Sequence, residues 1–247
     1  MEMRKAVLLI VLLAAAGIPA IAQSQAPAPP KALTGNFGIG LALTGGNTDT
    51  KSFNLSYEAT HDPKTKNIFK TKGLYLRSSS NDELTADSLR LNFRDDYLFT
   101  KRVTVYGAMG YLRDPFKSIS YLLNPQAGIG LNAVNTEKIL FTVSGGAGGV
   151  WEKNEGLDVR SSGTLNAGQS FSYKISNTAK LTENLTGMWK TKEFADALYH
   201  FDIALVTTIV KKVDVKLEFV DEFKNRTPFV TVKKNDTAFI TSLLYKF

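Results

Sequence analysis

Thr237-Ala238-Phe239-Ile240-Thr241-Ser242-Leu243-Leu244-Tyr245-Lys246-Phe247 closes the sequence. Counted back from Phe247, Tyr245, Leu243 and Phe239 fall on one side, with Thr241 between the last two. A strand turns successive side chains to opposite faces. The spacing therefore predicts one strand with an apolar, aromatic-rich face. No charged tail follows. An edge strand of a soluble sheet and a strand of a membrane barrel both fit this stretch, so the rest of the chain has to separate them.

The same period of two runs through the sequence from Asn36 onward. Phe37, Ile39, Leu41 and Leu43 alternate with Gly38, Gly40, Ala42 and Thr44. Phe53, Leu55 and Tyr57 alternate with Asn54, Ser56 and Glu58, and Leu89, Leu91 and Phe93 with Arg90, Asn92 and Arg94. Near the end, Tyr199, Phe201, Ile203 and Leu205 oppose His200, Asp202 and Ala204. Val213, Val215, Leu217 and Phe219 oppose Asp214, Lys216 and Glu218. A third strand near 68–78 is irregular: Ile68-Phe69 and Leu74-Tyr75-Leu76 put bulk on both faces, and its inner side stays unassigned. Twelve such strands of about ten residues are expected, an even number and a length able to cross a bilayer at a tilt.

The links carry a rhythm. Short turns are expected at Thr100-Lys101-Arg102, Asn135 to Lys138, Lys174 to Asn177 and Val210-Lys211-Lys212. Longer ones are expected near 78–86, 113–121, 152–160, 190–196 and 224–236. Short turns alternating with longer loops are the habit of an outer-membrane meander. A two-sheet sandwich gives the same period but no reason for the alternation.

The amino terminus points to export. Arg4 and Lys5 precede an apolar run from Ala6 to Gly17, and Ala20-Ile21-Ala22 is a small-residue cleavage site. This pattern predicts a signal peptide over residues 1–22, cut before Gln23. Residues 23–35, rich in Pro, Ala and Gln, read as a flexible leader, and 36–247 as the folded domain. Past residue 22 no apolar run approaches the ~18 residues of a spanning helix. Only a closed barrel then satisfies every backbone group inside hydrocarbon.

Composition excludes further classes. The sequence has no cysteine, so an exported form has neither disulfides nor thiolate chemistry. The net charge is +7, and about +6 without Glu2, Arg4 and Lys5. These charges are scattered singly through alternating strands. They suit anionic headgroups or anionic solutes, and nucleic acid is not an expected partner. No cofactor or metal is expected. Gly145, Gly146, Gly148 and Gly149 lack the Lys of a phosphate loop. In a strand they allow curvature or a large side chain lying over them.

Short motifs in fixed order resemble a known family. They are Gly45-Gly46-Asn47-Thr48, Asp114-Pro115-Phe116 with Gln126-Ala127-Gly128-Ile129-Gly130, and Gly145 to Gly149 before Trp151-Glu152. Thr227-Pro228 with Asp236, and Leu244-Tyr245-Lys246-Phe247, complete the set. Over roughly 36–247 the chain resembles the YdiY-like salt-induced outer-membrane proteins, a family of unknown function. The resemblance implies a bacterial outer-membrane location and a response to osmotic or ionic stress, and it brings no catalytic residues. The ending, with Phe239, Leu243, Tyr245 and Phe247 on one face, also resembles the signal read by the barrel-assembly machinery. That machinery and outer-membrane lipid are the implied partners.

If the aliphatic face meets lipid, the opposite face lines a lumen. Its charged and polar members are Arg90, Arg94, Asp96, His200, Asp202, Asp214, Lys216, Glu218 and Glu222. They either neutralise one another as a plug or border a narrow wet path. Twelve strands enclose a width between a filled eight and an open sixteen, so size does not decide. The expected function is therefore a stress-responsive envelope component with a narrow or plugged polar lumen, or one passing small solutes or ions. Two alternatives stand beside it. A rim lipid hydrolase would use His200 or His61 with a serine, although no G-x-S-x-G turn occurs. A periplasmic β-sandwich would bind a ligand or partner. Trp151, Trp189, Tyr97, Phe99, Phe171, Tyr173, Tyr199 and Phe223 fall near strand ends, as interfacial girdles require.

Overall fold

The computed structural model describes residues 32–45, 50–80 and 83–247. The expected signal peptide, residues 23–31 of the leader and the Gly46-Asn47-Thr48 turn lie outside the described residues. The strands are β1 (Leu33–Gly45), β2 (Thr50–His61), β3 (Asn67–Ser80) and β4 (Glu83–Leu98). Next come β5 (Val103–Asp114), β6 (Ile119–Asn135), β7 (Ile139–Asn154) and β8 (Arg160–Lys174). The last four are β9 (Ala179–Lys190), β10 (Glu193–Val210), β11 (Val213–Lys224) and β12 (Asn235–Lys246).

Each strand pairs antiparallel with the next, and β12 closes on β1, so the sheet is one twelve-stranded barrel. Across the closing seam Phe37 stands opposite Tyr245 and Ile39 opposite Leu243. Closure leaves no free edge and rules out a sandwich of two open sheets. β1 begins at Leu33, inside the expected leader, because Leu33 and Thr34 pair with His61 and Thr60. The Phe247 amide also donates to the Gly35 carbonyl at 3.1 Å.

The outside is apolar. Phe37 is 61% exposed, Ile129 60% and Leu243 53%, and each belongs to a belt of outward aliphatic and aromatic side chains, interrupted at Gln169 and Glu183, which hydrogen-bond each other. Soluble monomers rarely expose a belt of this kind. In hydrocarbon it costs nothing, whereas the polar inner face would cost several kcal/mol per charge. This is an outer-membrane-type barrel. Its girdles separate cleanly. Trp151, Trp189, Tyr199 and Phe223 lie toward one end, and Tyr97, Phe99, Phe171 and Tyr173 toward the other. On the outside of β9, β10 and β11, Trp189 Nε1 donates to the Tyr199 hydroxyl at 3.0 Å, and the Tyr199 and Phe223 rings are 6.0 Å apart.

The links after even-numbered strands, together with Leu33 and Phe247, define the turn end. Thr100, Thr136 and Ser176 each accept the amide three residues on, at 2.9 to 3.0 Å, which fixes these turns. The opposite, loop end differs from expectation. Most of the segments expected as long loops are paired strand. β9 ends at Lys190 and β10 resumes at Glu193, while Ser80 pairs with Glu83. Strands accordingly run 12 to 18 residues, not about ten. Among the described links only 225–234 is long. The ladder continues past the apolar band, where polar residues no longer reveal it by alternation.

The irregular third strand now has an inside. Lys72, Leu74 and Leu76 face the lumen, and Leu74 and Leu76 pack on Val220, Ala238 and Ile240. A second inner cluster joins Leu112, Ile119, Leu122, Val150 and Met188, with Leu198 against it. Both clusters occupy the loop-end half of the barrel. On the wall, Tyr106 lies over Gly128 and Gly146, and Trp151 and Trp189 lie over Gly149 and Gly187. A side chain at these glycines would displace the ring.

Candidate functional site

Alternation on β4, β10 and β11 brings Arg90, His200, Asp202 and Glu222 to the inner face. Arg90 Nη2 donates to Glu222 Oε1 at 2.5 Å, and the other carboxylate oxygen lies 2.8 Å from His200 Nδ1. His200 Nε2 lies 3.3 Å from Asp202 Oδ1, and Asn184 Nδ2 donates to Asp202 Oδ2 at 2.7 Å. The chain Arg90–Glu222–His200–Asp202–Asn184 thus runs from β4 to β9 by way of β11 and β10. In the ring, β4 and β11 stand on nearly opposite walls, so the bridge crosses the lumen.

The other expected lumen residues form separate groups. Asp96 accepts from Arg94 at 2.8 Å and from Lys70 at 2.7 Å, and the Arg94 guanidinium sits 3.7 Å over the Tyr106 ring. Lys216 pairs with Glu218 at 2.7 Å, and Asp214 with Lys246 at 2.6 Å. His61 is exposed at the end of β2, its ring 6.3 Å from that of Phe69. Phe239, Leu243 and Tyr245 point outward, and Phe247 rests 5.3 Å from Phe37 across the closing seam.

Two groups escaped the sequence reading. Glu152 takes Lys224 on one oxygen and Lys190 on the other at 2.5 Å, while Lys190 also reaches Asp196 at 2.6 Å. All four residues fall in segments expected as loops. The parity of β7, β9 and β11 carried past the apolar band would have found Glu152, Lys190 and Lys224. The second group is the β5–β6 connection. Asp114 caps a short 3-10 turn, Pro115–Lys117, by accepting the Lys117 amide at 3.2 Å. Ser118 takes a left-handed backbone, and its carbonyl is held by the Glu155 amide at 3.0 Å and Asn154 Nδ2 at 3.1 Å. The turn folds inward. Lys117 is 2% exposed and reaches Asp236 Oδ2 at 3.4 Å and the Glu222 carbonyl at 3.3 Å, on the far wall. Nothing in the spacing of this segment announces an inward strap.

The interior is divided accordingly. A cavity of about 630 Å³ occupies the turn-end half, with Ser176, Asn177 and Thr178 on its rim. Smaller cavities of about 160 and 100 Å³ lie beyond. Arg90 and His200 border all three. The salt-bridged bridge is therefore the partition where the chambers meet. Both ring nitrogens of His200 face carboxylates, and no serine hydroxyl bonds either one among the described residues. A hydrolytic base needs one nitrogen on its nucleophile, an arrangement this histidine does not show. Among the described residues no group of three His, Asp or Glu side chains is placed to hold a metal ion.

Residues 37–247 match the family described as Protein of unknown function, DUF481. The chain belongs to the DUF481 family. This DUF481 chain shares its fold with solved outer-membrane barrels. The NanC porin superposes with a TM-score of 0.57 at 10% identity, covering 85% of this chain and 100% of that one. The translocator domain of the autotransporter NalP from Neisseria meningitidis gives 0.55 at 11% identity, covering 100% and 95%. The COG4313 outer membrane channel from Pseudomonas putida F1 gives 0.53 at 12% identity, covering 92% and 100%. At these identities the likeness is one of fold. No curated protein matches the DUF481 chain.

Proposed function

We propose that this DUF481 barrel is a bacterial outer-membrane channel for small ionic solutes, held closed at rest. The turn end faces the periplasm and the loop end the exterior, following the usual placement of short turns. The observation that carries the reading is the partition itself. A polar-lined chamber of about 630 Å³ and two smaller ones meet at the Arg90–Glu222–His200 bridge, and the Lys117 strap crosses the lumen beyond it. A barrel built only as a stiff plug needs no open chamber over half its length.

Assembly would proceed through the β12 face carrying Phe239, Leu243 and Tyr245, with lipid as the surrounding partner. The stress response implied by family resemblance fits a path closed until it is needed, because an always-open pore would admit ions indiscriminately. Planar-bilayer recording tests the reading. The wild-type barrel should show rare, small steps, and the Arg90→Ala/Glu222→Ala variant frequent, larger ones. Silence from both, with correct heat-modifiable folding, would leave the plugged barrel as the function.

A further inference from the structure

We infer that the turn-end cavity is a binding site for small solutes bearing several carboxylate or phosphate groups, held between Lys72 and Lys180. The inference deepens the channel reading, and rests on it, by giving the periplasmic chamber a ligand class. The cavity is bordered by six cations, Lys72, Arg90, Lys174, Lys180, Lys216 and Lys246, against four carboxylates, Glu58, Asp202, Asp214 and Glu218. Most of these charges are already used. Asp214 holds Lys246, Glu218 holds Lys216, Asp202 is taken by His200 and Asn184 with Lys72 attracted to it through space, and Arg90 is held by Glu222.

Those engagements leave a one-sided remainder. Lys72, Lys174 and Lys180 have no carboxylate within 4.0 Å among the described residues, and neither does Glu58 have a cation. Lys72 is the register partner of Glu58 yet does not pair with it. Lys72 stands on β3 and Lys180 on β9, six strands apart whichever way the ring of twelve is followed. The two ammonium groups therefore rise from opposite walls into one chamber. An ammonium on a flexible stem is a strong point charge with three donors. Low-dielectric walls concentrate the field between two of them and enrich anions there. Ser170, Thr182 and Asn184 add hydroxyl and amide groups on the same lining. A volume of about 630 Å³ lies within the ~300–1,000 Å³ typical of small-molecule sites. A singly charged ion offers one contact, whereas a multivalent anion offers one to each wall.

Titration calorimetry on the full barrel refolded in detergent tests this, with citrate and inorganic phosphate as probes. The comparison is between wild type, Lys72→Gln/Lys180→Gln, and an exterior control, Lys101→Gln/Lys138→Gln, each checked for heat-modifiable migration. Wild type and control should bind citrate saturably, more tightly than phosphate. The lumen variant should bind at least tenfold more weakly, and added salt should weaken the wild type. Equal citrate binding by the lumen variant, or no saturable binding by the folded wild type, would overturn the site. A barrel that binds citrate but never conducts keeps the site and removes the channel. One that conducts without binding does the reverse.

Discussion

Lys117 Nζ lies 3.4 Å from Asp236 Oδ2, although Lys117 leaves the wall after β5 and Asp236 stands on β12 across the lumen. The pair pins the inward turn that closes the loop-end half of the barrel. Lys117→Ala should release it. Asp236 is 24% exposed, so the stability loss should be about 2 kcal/mol, below the full cost of breaking a buried pair. Urea unfolding of the refolded barrel measures this. Asp236→Asn should give a smaller loss in the same direction, because the Glu222 carbonyl still receives the ammonium.

Glu222 is shared by Arg90 and His200. Removing it leaves two neighbours without their acceptor, so Glu222→Ala should cost about 3–5 kcal/mol in the same unfolding assay. Arg90→Met/Glu222→Met removes both charges together and should recover a large part of that loss. Equal losses for the single and double variants would show that the bridge does not behave as a coupled pair.

A third expectation concerns the wall. A methyl group at Gly128 would collide with the Gly145 carbonyl and come within 2.7 Å of the Tyr106 hydroxyl and Gly146 Cα. At Gly107 it would meet nothing within 4 Å. Gly128→Ala should therefore reduce the yield of heat-modifiable barrel sharply. Gly107→Ala should keep it, or raise stability by up to about 1 kcal/mol through the unfolded chain.

The two faces predict opposite tolerance to charge. Ile129, outward in mid-strand, should lose about 2–4 kcal/mol on substitution by Arg. Thr182→Arg, on the lining of the large cavity, should be tolerated. Folding yields in lipid vesicles compare the two directly, and equal tolerance would argue against hydrocarbon around the barrel.

The sequence disclosed the strands wherever an apolar face met a polar one. β11 is readable residue by residue because Val213, Val215 and Leu217 face out while Asp214, Lys216 and Glu218 face in. β3 was opaque for a definite reason: Leu74 and Leu76 point inward onto Val220, Ala238 and Ile240, so both of its faces carry bulk. The strand ends were opaque for another. Glu152, Lys190 and Lys224 lie beyond the apolar band, where pairing continues without a lipid-facing alternation to mark it. The partition residues could be assigned to the inner face from parity. Their joining into one bridge could not, since it depends on which strands face each other across a closed ring. The Lys117 strap left no sequence signal, because a Pro-containing turn reads the same whether it folds inward or outward.

Hydrocarbon surrounds the aliphatic belt of the folded barrel. Trp151 and Trp189, the chain's two tryptophans, lie outside and toward the loop end. They therefore report on it in vesicles of brominated lipid. Strong quenching of their emission is expected, greater with bromines near the headgroups than near the bilayer centre. Emission unaffected by bromine at either depth, from folded barrel, would contradict the hydrocarbon surround.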